Sequence, residues 1–124
     1  MASYNEPRLA TFKAGGNISK YTFVTMSGTN ITDREVITAT SNSDKIVGIA
    51  MEDATSGQAV KVALVGGGAK LVCGGTVASG SFLVASTGGA GVSVGTDGGY
   101  IGAQALEYGT SGQIIDVQVV LFKV

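Results

Sequence analysis

Apolar and polar residues alternate in two stretches of the chain. In residues 59–64 the apolar side chains of Val60, Val62 and Leu64 are separated by Ala59, Lys61 and Ala63. In residues 114–122 a similar alternation places Ile, Val and Leu on one side and Asp and Gln on the other. A period of two residues predicts β-strands, because successive side chains of a strand point to opposite faces.

Both stretches belong to a segment that occurs twice. Ala50–Leu64 recurs as Ala105–Val119 at a constant offset of 55 residues, with the Ala, Glu, Thr, Ser, Gly and Gln positions identical. Such a self-match indicates one supersecondary unit used twice, here a short strand, a Thr-Ser-Gly-Gln turn and a longer strand. The sequence leaves open whether the copies pair about a pseudo-two-fold axis or follow one another in one barrel.

Further short strands are predicted between turns rich in Gly, Ser and Asn. They lie at residues 20–26, 35–40, 46–50, 70–73, 82–85 and 92–94. Gly66-Gly67-Gly68 predicts a hairpin that reverses the chain into residues 70–73, since a short Gly loop between β-rich runs is typical of hairpins. With 20 Gly, 44% hydrophobic and 14% charged residues, the chain is predicted to be all-β, a single compact β-barrel or β-sandwich-like domain.

Both ends of the sequence predict contacts with other chains. Residues 1–18 read as an extended N-terminal arm and residues 19–124 as the β-domain; Tyr4, Pro7, Leu9 and Phe12 are the apolar arm residues that could dock on another surface. The closing strand is apolar on both faces in its second half. A domain this small has enough residues to cover only one face of the closing strand. Val120, Phe122 and Val124, on the other face, are therefore predicted to be covered by another subunit.

Charge and composition exclude several classes of partner. The formal net charge is −1 with scattered Lys and Arg, so no basic surface for nucleic acid is expected. The apolar runs are too short for a membrane helix, and because residues 1–18 lack a basic-then-apolar pattern, no signal peptide is expected. Cys73 is the single cysteine, which excludes an internal disulfide or a cysteine metal site, and no metal or cofactor is predicted.

The residues needed for catalysis are almost absent. The chain has no His, and Cys73 lies in an apolar strand with no basic neighbour to activate it. Glu52 and Glu107 occupy matching repeat positions, which favours a structural role in the turns. Gly66-Gly67-Gly68-Ala69-Lys70 lacks the spacing and the helix of a phosphate loop. The chain is therefore predicted not to be an enzyme.

Several stretches together resemble a known family. They are Ile46-Val47-Gly48-Ile49-Ala50, Ala54-Thr55-Ser56-Gly57-Gln58, Val60-Lys61-Val62, Gly80-Ser81-Phe82-Leu83, Ile101-Gly102, Ala105-Leu106-Glu107 and the closing strand. Over roughly residues 18–124 the chain is similar to the small, Gly- and Ala-rich capsid decoration, or cement, proteins of tailed phages. These motifs are turns and strands, so the resemblance assigns no catalytic residue.

The resemblance implies a structural virion protein, made in the host cytoplasm, that assembles as a homotrimer on the outer surface of the expanded icosahedral head. It would bind the major capsid protein and bridge its subunits. In that setting Tyr4, Pro7, Leu9 and Phe12 are the expected capsid contact, and Val120, Phe122 and Val124 the expected trimer contact. The alternatives are a head-fibre base or tail-associated β-domain and, with few aromatic residues to support it, a carbohydrate-binding module.

Overall fold

The computed structural model describes residues 8–28 and 33–124, and these form an all-β fold. Ten strands are present among them. They are β1 (Leu9–Ala14), β2 (Phe23–Met26), β3 (Glu35–Thr38), β4 (Ile46–Ala50), β5 (Ala59–Ala63), β6 (Gly68–Val72), β7 (Phe82–Ala85), β8 (Gly91–Ser93), β9 (Tyr100–Ala105) and β10 (Ile114–Lys123). A 3₁₀ turn at Thr87–Gly89 precedes β8.

The first unit of the fold is a closed barrel with the strand order β1-β3-β2-β4-β5. Its strands are antiparallel to their neighbours except for β1 and β3, which run parallel. The barrel is filled by small and β-branched side chains: Ala14, Ile18, Val24, Val36, Ala50, Ala54, Val60 and Val62. Residues of this size fill a narrow interior, and the partly buried Phe12 packs against them.

The second unit contains the remaining five strands in the order β6-β10-β9-β7-β8. A parallel bridge between Cys73 and Gly91 connects its two edges. Because Ala14 and Val36 pair in parallel at the matching place in the first unit, this bridge corresponds to the β1–β3 ladder. The second unit thus has the same closed arrangement, with a single bridge where the first unit has the β1–β3 ladder.

Strand registers match between the two units. Leu9 pairs with Ala63 as Gly68 pairs with Gln118, and Val24 pairs with Gly48 as Leu83 pairs with Ala103. Equivalent residues are 59 positions apart in β1 and β2 and 55 apart from β3 to β5. The duplication therefore extends over all five strands, well beyond the segment in which the sequence repeat is visible.

The repeated turns are held by the same hydrogen bonds. The Gln58 side chain accepts from Thr55 N–H at 2.9 Å, and Gln113 accepts from Thr110 N–H at 2.8 Å. Glu52 Oε2 accepts from Lys61 N–H at 3.0 Å, and Glu107 Oε2 accepts from Asp116 N–H at 2.7 Å. Gly57 and Gly112 adopt φ values of 89° and 86°, which a residue with a Cβ avoids. The structural role predicted for Glu52 and Glu107 is the one observed.

Two local predictions differ from the structure. Residues 9–14 of the predicted arm form β1, which pairs with β5 on one side and β3 on the other within the same chain. Their alternation suits the barrel, with Ala10, Phe12 and Ala14 less exposed than the residues between them. The predicted hairpin at Gly66-Gly67-Gly68 is wrong, because β5 and β6 do not pair; this segment connects the two units.

Candidate association surface

The two units pack through an apolar strip on the outside of the first barrel. Phe23, Ile49 and Ala63 lie side by side on β2, β4 and β5, and all three are fully buried. They join the core of the second unit in one continuous cluster. We call these three residues the first strip.

Glycines of the second unit make room for the first strip. A Cβ on Gly102 would lie 2.6 Å from Phe23 Cε1 and 2.7 Å from Ile46 Cδ1. A Cβ on Gly91 would meet Leu71 of its own unit first and would lie 3.3 Å from Phe23 Cε2, and one on Gly89 would lie 2.8 Å from Thr22 Cβ. The absence of side chains at Gly89, Gly91 and Gly102, the glycine socket, therefore allows the Phe23 ring and its neighbours to approach the second unit closely.

The second unit carries an equivalent strip that remains open. The positions that match Phe23, Ile49 and Ala63 are Phe82, Gln104 and Gln118 on β7, β9 and β10. Phe82 is 39% exposed, and the amide of Gln118 donates to Gln104 Oε1 at 2.8 Å. This second strip keeps the phenylalanine and replaces its two apolar neighbours with glutamines.

An additional part of β10 extends the second strip. The residue of β10 that matches the end of β5 is Gln118, and β10 continues to Lys123 with a register shift between Val119 and Phe122. Phe122 meets Phe82 edge to face with ring centroids 5.1 Å apart. Leu121 and Phe122 also line a groove with Tyr100 and Ile101. Phe82, Leu121 and Phe122 together form what we call the β10 patch.

The residues predicted for trimer contact lie on or next to this patch. Phe122 and Val124 are 42% and 64% exposed, whereas Val120 is only partly exposed. Lys123 lies 5.5 Å from the centroid of the Tyr100 ring, so a cation borders the apolar surface. The structure therefore brings Phe122 into an apolar cluster, and the trimer contact stays a prediction.

Of the residues predicted for capsid contact, Tyr4 and Pro7 lie outside the described residues. Leu9, at the start of β1, is 47% exposed. Phe12 is partly buried against the interior of the first barrel, and the Arg34 guanidinium lies 4.7 Å from its ring centroid. The structure leaves Leu9 accessible and packs Phe12 partly against the barrel interior, and the capsid contact stays a prediction.

The comparison with known proteins rests on solved structures. A scan against family models and a search of curated proteins each returned no match. The chain is similar to the crystal structure of the head fiber gp8.5 N base in bacteriophage phi29, with a TM-score of 0.70 and 19% sequence identity. The similarity covers 94% of this chain and 97% of that one. At this identity, the two chains share a fold.

The similarity to the gp8.5 N base extends over both units, because it includes nearly the whole of each chain. The duplicated arrangement is therefore part of the shared fold. The fold alone does not assign a surface, so the position of a contact has to be argued from exposed side chains of this chain.

Exposed large apolar side chains concentrate in the second unit. Among the described residues Leu9 and Val65 are exposed before β6, and Phe82, Leu106, Tyr108, Ile114, Leu121, Phe122 and Val124 are exposed after it. The two units of this chain have the same strand order, so strand order does not explain why their exposed apolar side chains differ in number. It marks the second unit as the one whose surface suits a partner.

The described residues offer no comparable site for chemistry. No cluster of three or more His, Cys, Asp or Glu side chains suited to a metal occurs among residues 8–28 and 33–124. Cys73 is buried, and its burial raises the pKa of the thiol, which keeps it in the protonated, weakly nucleophilic form. Within the same residues, no helix combines the length and the apolar character needed to cross a bilayer.

Sequence reasoning did not identify Phe82 or the glycine socket as parts of an interface. A signal was present, since Gly15-Gly16 and Phe23 match Gly74-Gly75 and Phe82 at an offset of 59 residues. The change of offset from 59 to 55 hides this match from a search at one fixed period.

Proposed function

We propose that this chain is a structural protein of the head of a tailed phage and acts as a decoration, or cement, protein on the outer surface of the capsid. It binds the major capsid protein and assembles with further copies of itself. The single observation that carries the proposal is the fold, which is shared over nearly its whole length with the phi29 head fiber base. The exposed apolar side chains of the second unit support a role in assembly.

A cement role requires no catalytic group, since it stabilises the head through buried area. Many copies that each add a modest interface together resist the outward pressure of packaged DNA. The small formal net charge of −1 also suits a chain that lies close to many others, because mutual repulsion is weak.

A head-fibre base is the second candidate, and the similarity to the head fiber gp8.5 N base of bacteriophage phi29 favours it. The two roles differ in copy number. A cement protein occupies all equivalent sites on the head surface and stabilises the shell, whereas a fibre base is needed only where a fibre is attached.

Co-sedimentation of the purified chain with expanded, undecorated heads of its source phage tests the proposal. We expect saturable binding. Saturation at every equivalent site of the head surface, together with greater resistance of the heads to heat, supports the cement role. Saturable binding without stabilisation supports the fibre base. No binding to intact, expanded heads would contradict both roles.

The proposed capsid contact needs a separate test, because removing residues 2–14 would also remove β1 from the first barrel. We therefore propose deletion of residues 2–7 alone, with Leu9→Ser as a second variant. Both leave the pairing of β1 with β5 possible, so folding is retained while head binding weakens. Full affinity in both folded variants would show that the capsid contact lies elsewhere.

A further inference from the structure

We propose that the second strip and the β10 patch form a self-association surface, and that the same surface of a second copy of this chain covers it. The proposal deepens the self-assembly part of the proposed function. Its test is made without phage heads, so each of the two proposals can fail alone.

The duplication shows what covers this kind of strip. In the first unit, Phe23, Ile49 and Ala63 are completely buried, and their cover is another unit of the same five-stranded fold. Phe82 occupies the position of Phe23 in the second unit, yet within the described residues its ring meets Phe122 and stays 39% exposed. A surface that one copy of the fold covers in the first unit is thus open in the second.

The socket of a second copy cannot accept Phe82, because its own first strip fills that socket. The matching surface of the first unit is closed by side chains. Arg34 and Val47 stand where the second unit has Gly89 and Gly102, and the Arg34 guanidinium covers Phe12. Val36, at the position of Gly91, is buried in the barrel interior. Head-to-tail addition through a Phe-into-glycine contact therefore stops after two units, since the Val47 side chain stands at the position of Gly102, where the ring would need space.

The strip of a second copy is an apolar surface of matching composition. Phe82, Leu121 and Phe122 supply an apolar centre, and Gln104 and Gln118 supply amide groups that can donate to and accept from a symmetry mate. An apolar centre with a polar border is the usual composition of an interface. The formal net charge of −1 adds little repulsion between copies.

Sedimentation equilibrium of the full chain over micromolar to millimolar concentration tests the proposal. The test variant is the double substitution Phe82→Ser with Phe122→Ser. The matched control is Leu106→Ser with Tyr108→Ser, which removes two exposed apolar side chains of the same unit outside the strip. Circular dichroism and thermal melts verify that each variant is folded.

We expect the wild-type chain and the control to form the same oligomer and the double variant to be monomeric, with a dissociation constant raised at least about tenfold. If the double variant does not fold, Gln118→Lys replaces it, because this exposed position tolerates a charge that like copies repel. A wild-type chain that stays monomeric at millimolar concentration, or folded strip variants that associate as the wild type does, would overturn the proposal.

Discussion

The two units share a fold and differ in whether one apolar strip on their outer surface is buried. Phe23 in the first unit has no exposed surface, whereas Phe82 at the equivalent place in the second is 39% exposed. The difference teaches that strand order and register do not determine which face of a unit is buried. Which face is buried depends on a small number of residues around the strip, above all the glycines that leave room for Phe23.

The glycine socket gives the pair of units a defined end. Gly89, Gly91 and Gly102 receive the first unit, whereas the outer surface of the first unit carries Arg34 and Val47 at the positions of Gly89 and Gly102. If the outer surface of the first unit also had such a socket, it could bind the Phe82 strip of another copy, and copies would add without limit, as open heterologous contacts do. The side chains of Arg34 and Val47 prevent this.

The largest expected effect is a difference in stability between variants at Phe23 and at Phe82. Phe23→Ala removes a fully buried ring from the core that joins the units and is expected to lower the free energy of unfolding by about 3–5 kcal/mol. Phe82→Ala removes a half-exposed ring with one aromatic partner, and a loss of about 1 kcal/mol is expected. Urea unfolding at a concentration where the chain is monomeric measures both. Equal losses would show that the two strips are not distinguished by burial.

A smaller effect tests the socket itself. Gly102→Ala places a methyl group within 2.6 Å of the Phe23 ring and is expected to destabilise the fold by about 1–3 kcal/mol. Gly75→Ala is the control, because no atom lies within 4 Å of its Cβ position and its φ is not positive. We expect the control to remain within about 0.5 kcal/mol of the wild type. The socket account fails if thermal unfolding shows the same stability for both variants.

The smallest effect concerns a feature that the units have in common. Glu52→Ala and Glu107→Ala each remove a carboxylate that accepts from a backbone N–H nine residues later. Both acceptors lie near the surface, so we expect losses of about 1 kcal/mol that are equal within error. Chemical denaturation of the two variants measures the difference. A loss at one position only would mean that the repeated turns are no longer equivalent.

Much of the fold follows from the sequence because the strands carry a clear period of two residues. The all-β class and the strand-turn-strand repeat at residues 50–64 and 105–119 are confirmed. The full duplication was not visible, since the connection between Met26 and Val36 is four residues longer than that between Ala85 and Gly91. Identical residues are also rare outside the turns.

The wrong predictions have a common physical cause. Leu9–Ala14 and Gly66-Gly67-Gly68 have local patterns that fit an extended arm and a hairpin, but strand partners are selected by distant residues. The candidate surface was missed for the same reason. Phe82 has the same local pattern as Phe23, and only the position of the other unit makes one a core residue and the other a surface residue.

Fluorine NMR of the chain labelled with fluorophenylalanine tests the central difference between the strips most directly. The chain contains four Phe residues, and single Phe→Leu variants assign their signals. As the protein concentration rises, the account predicts that the signals of Phe82 and Phe122 shift or broaden while those of Phe12 and Phe23 stay constant. Concentration-dependent changes at Phe12 or Phe23, or none at Phe82 and Phe122, would contradict it.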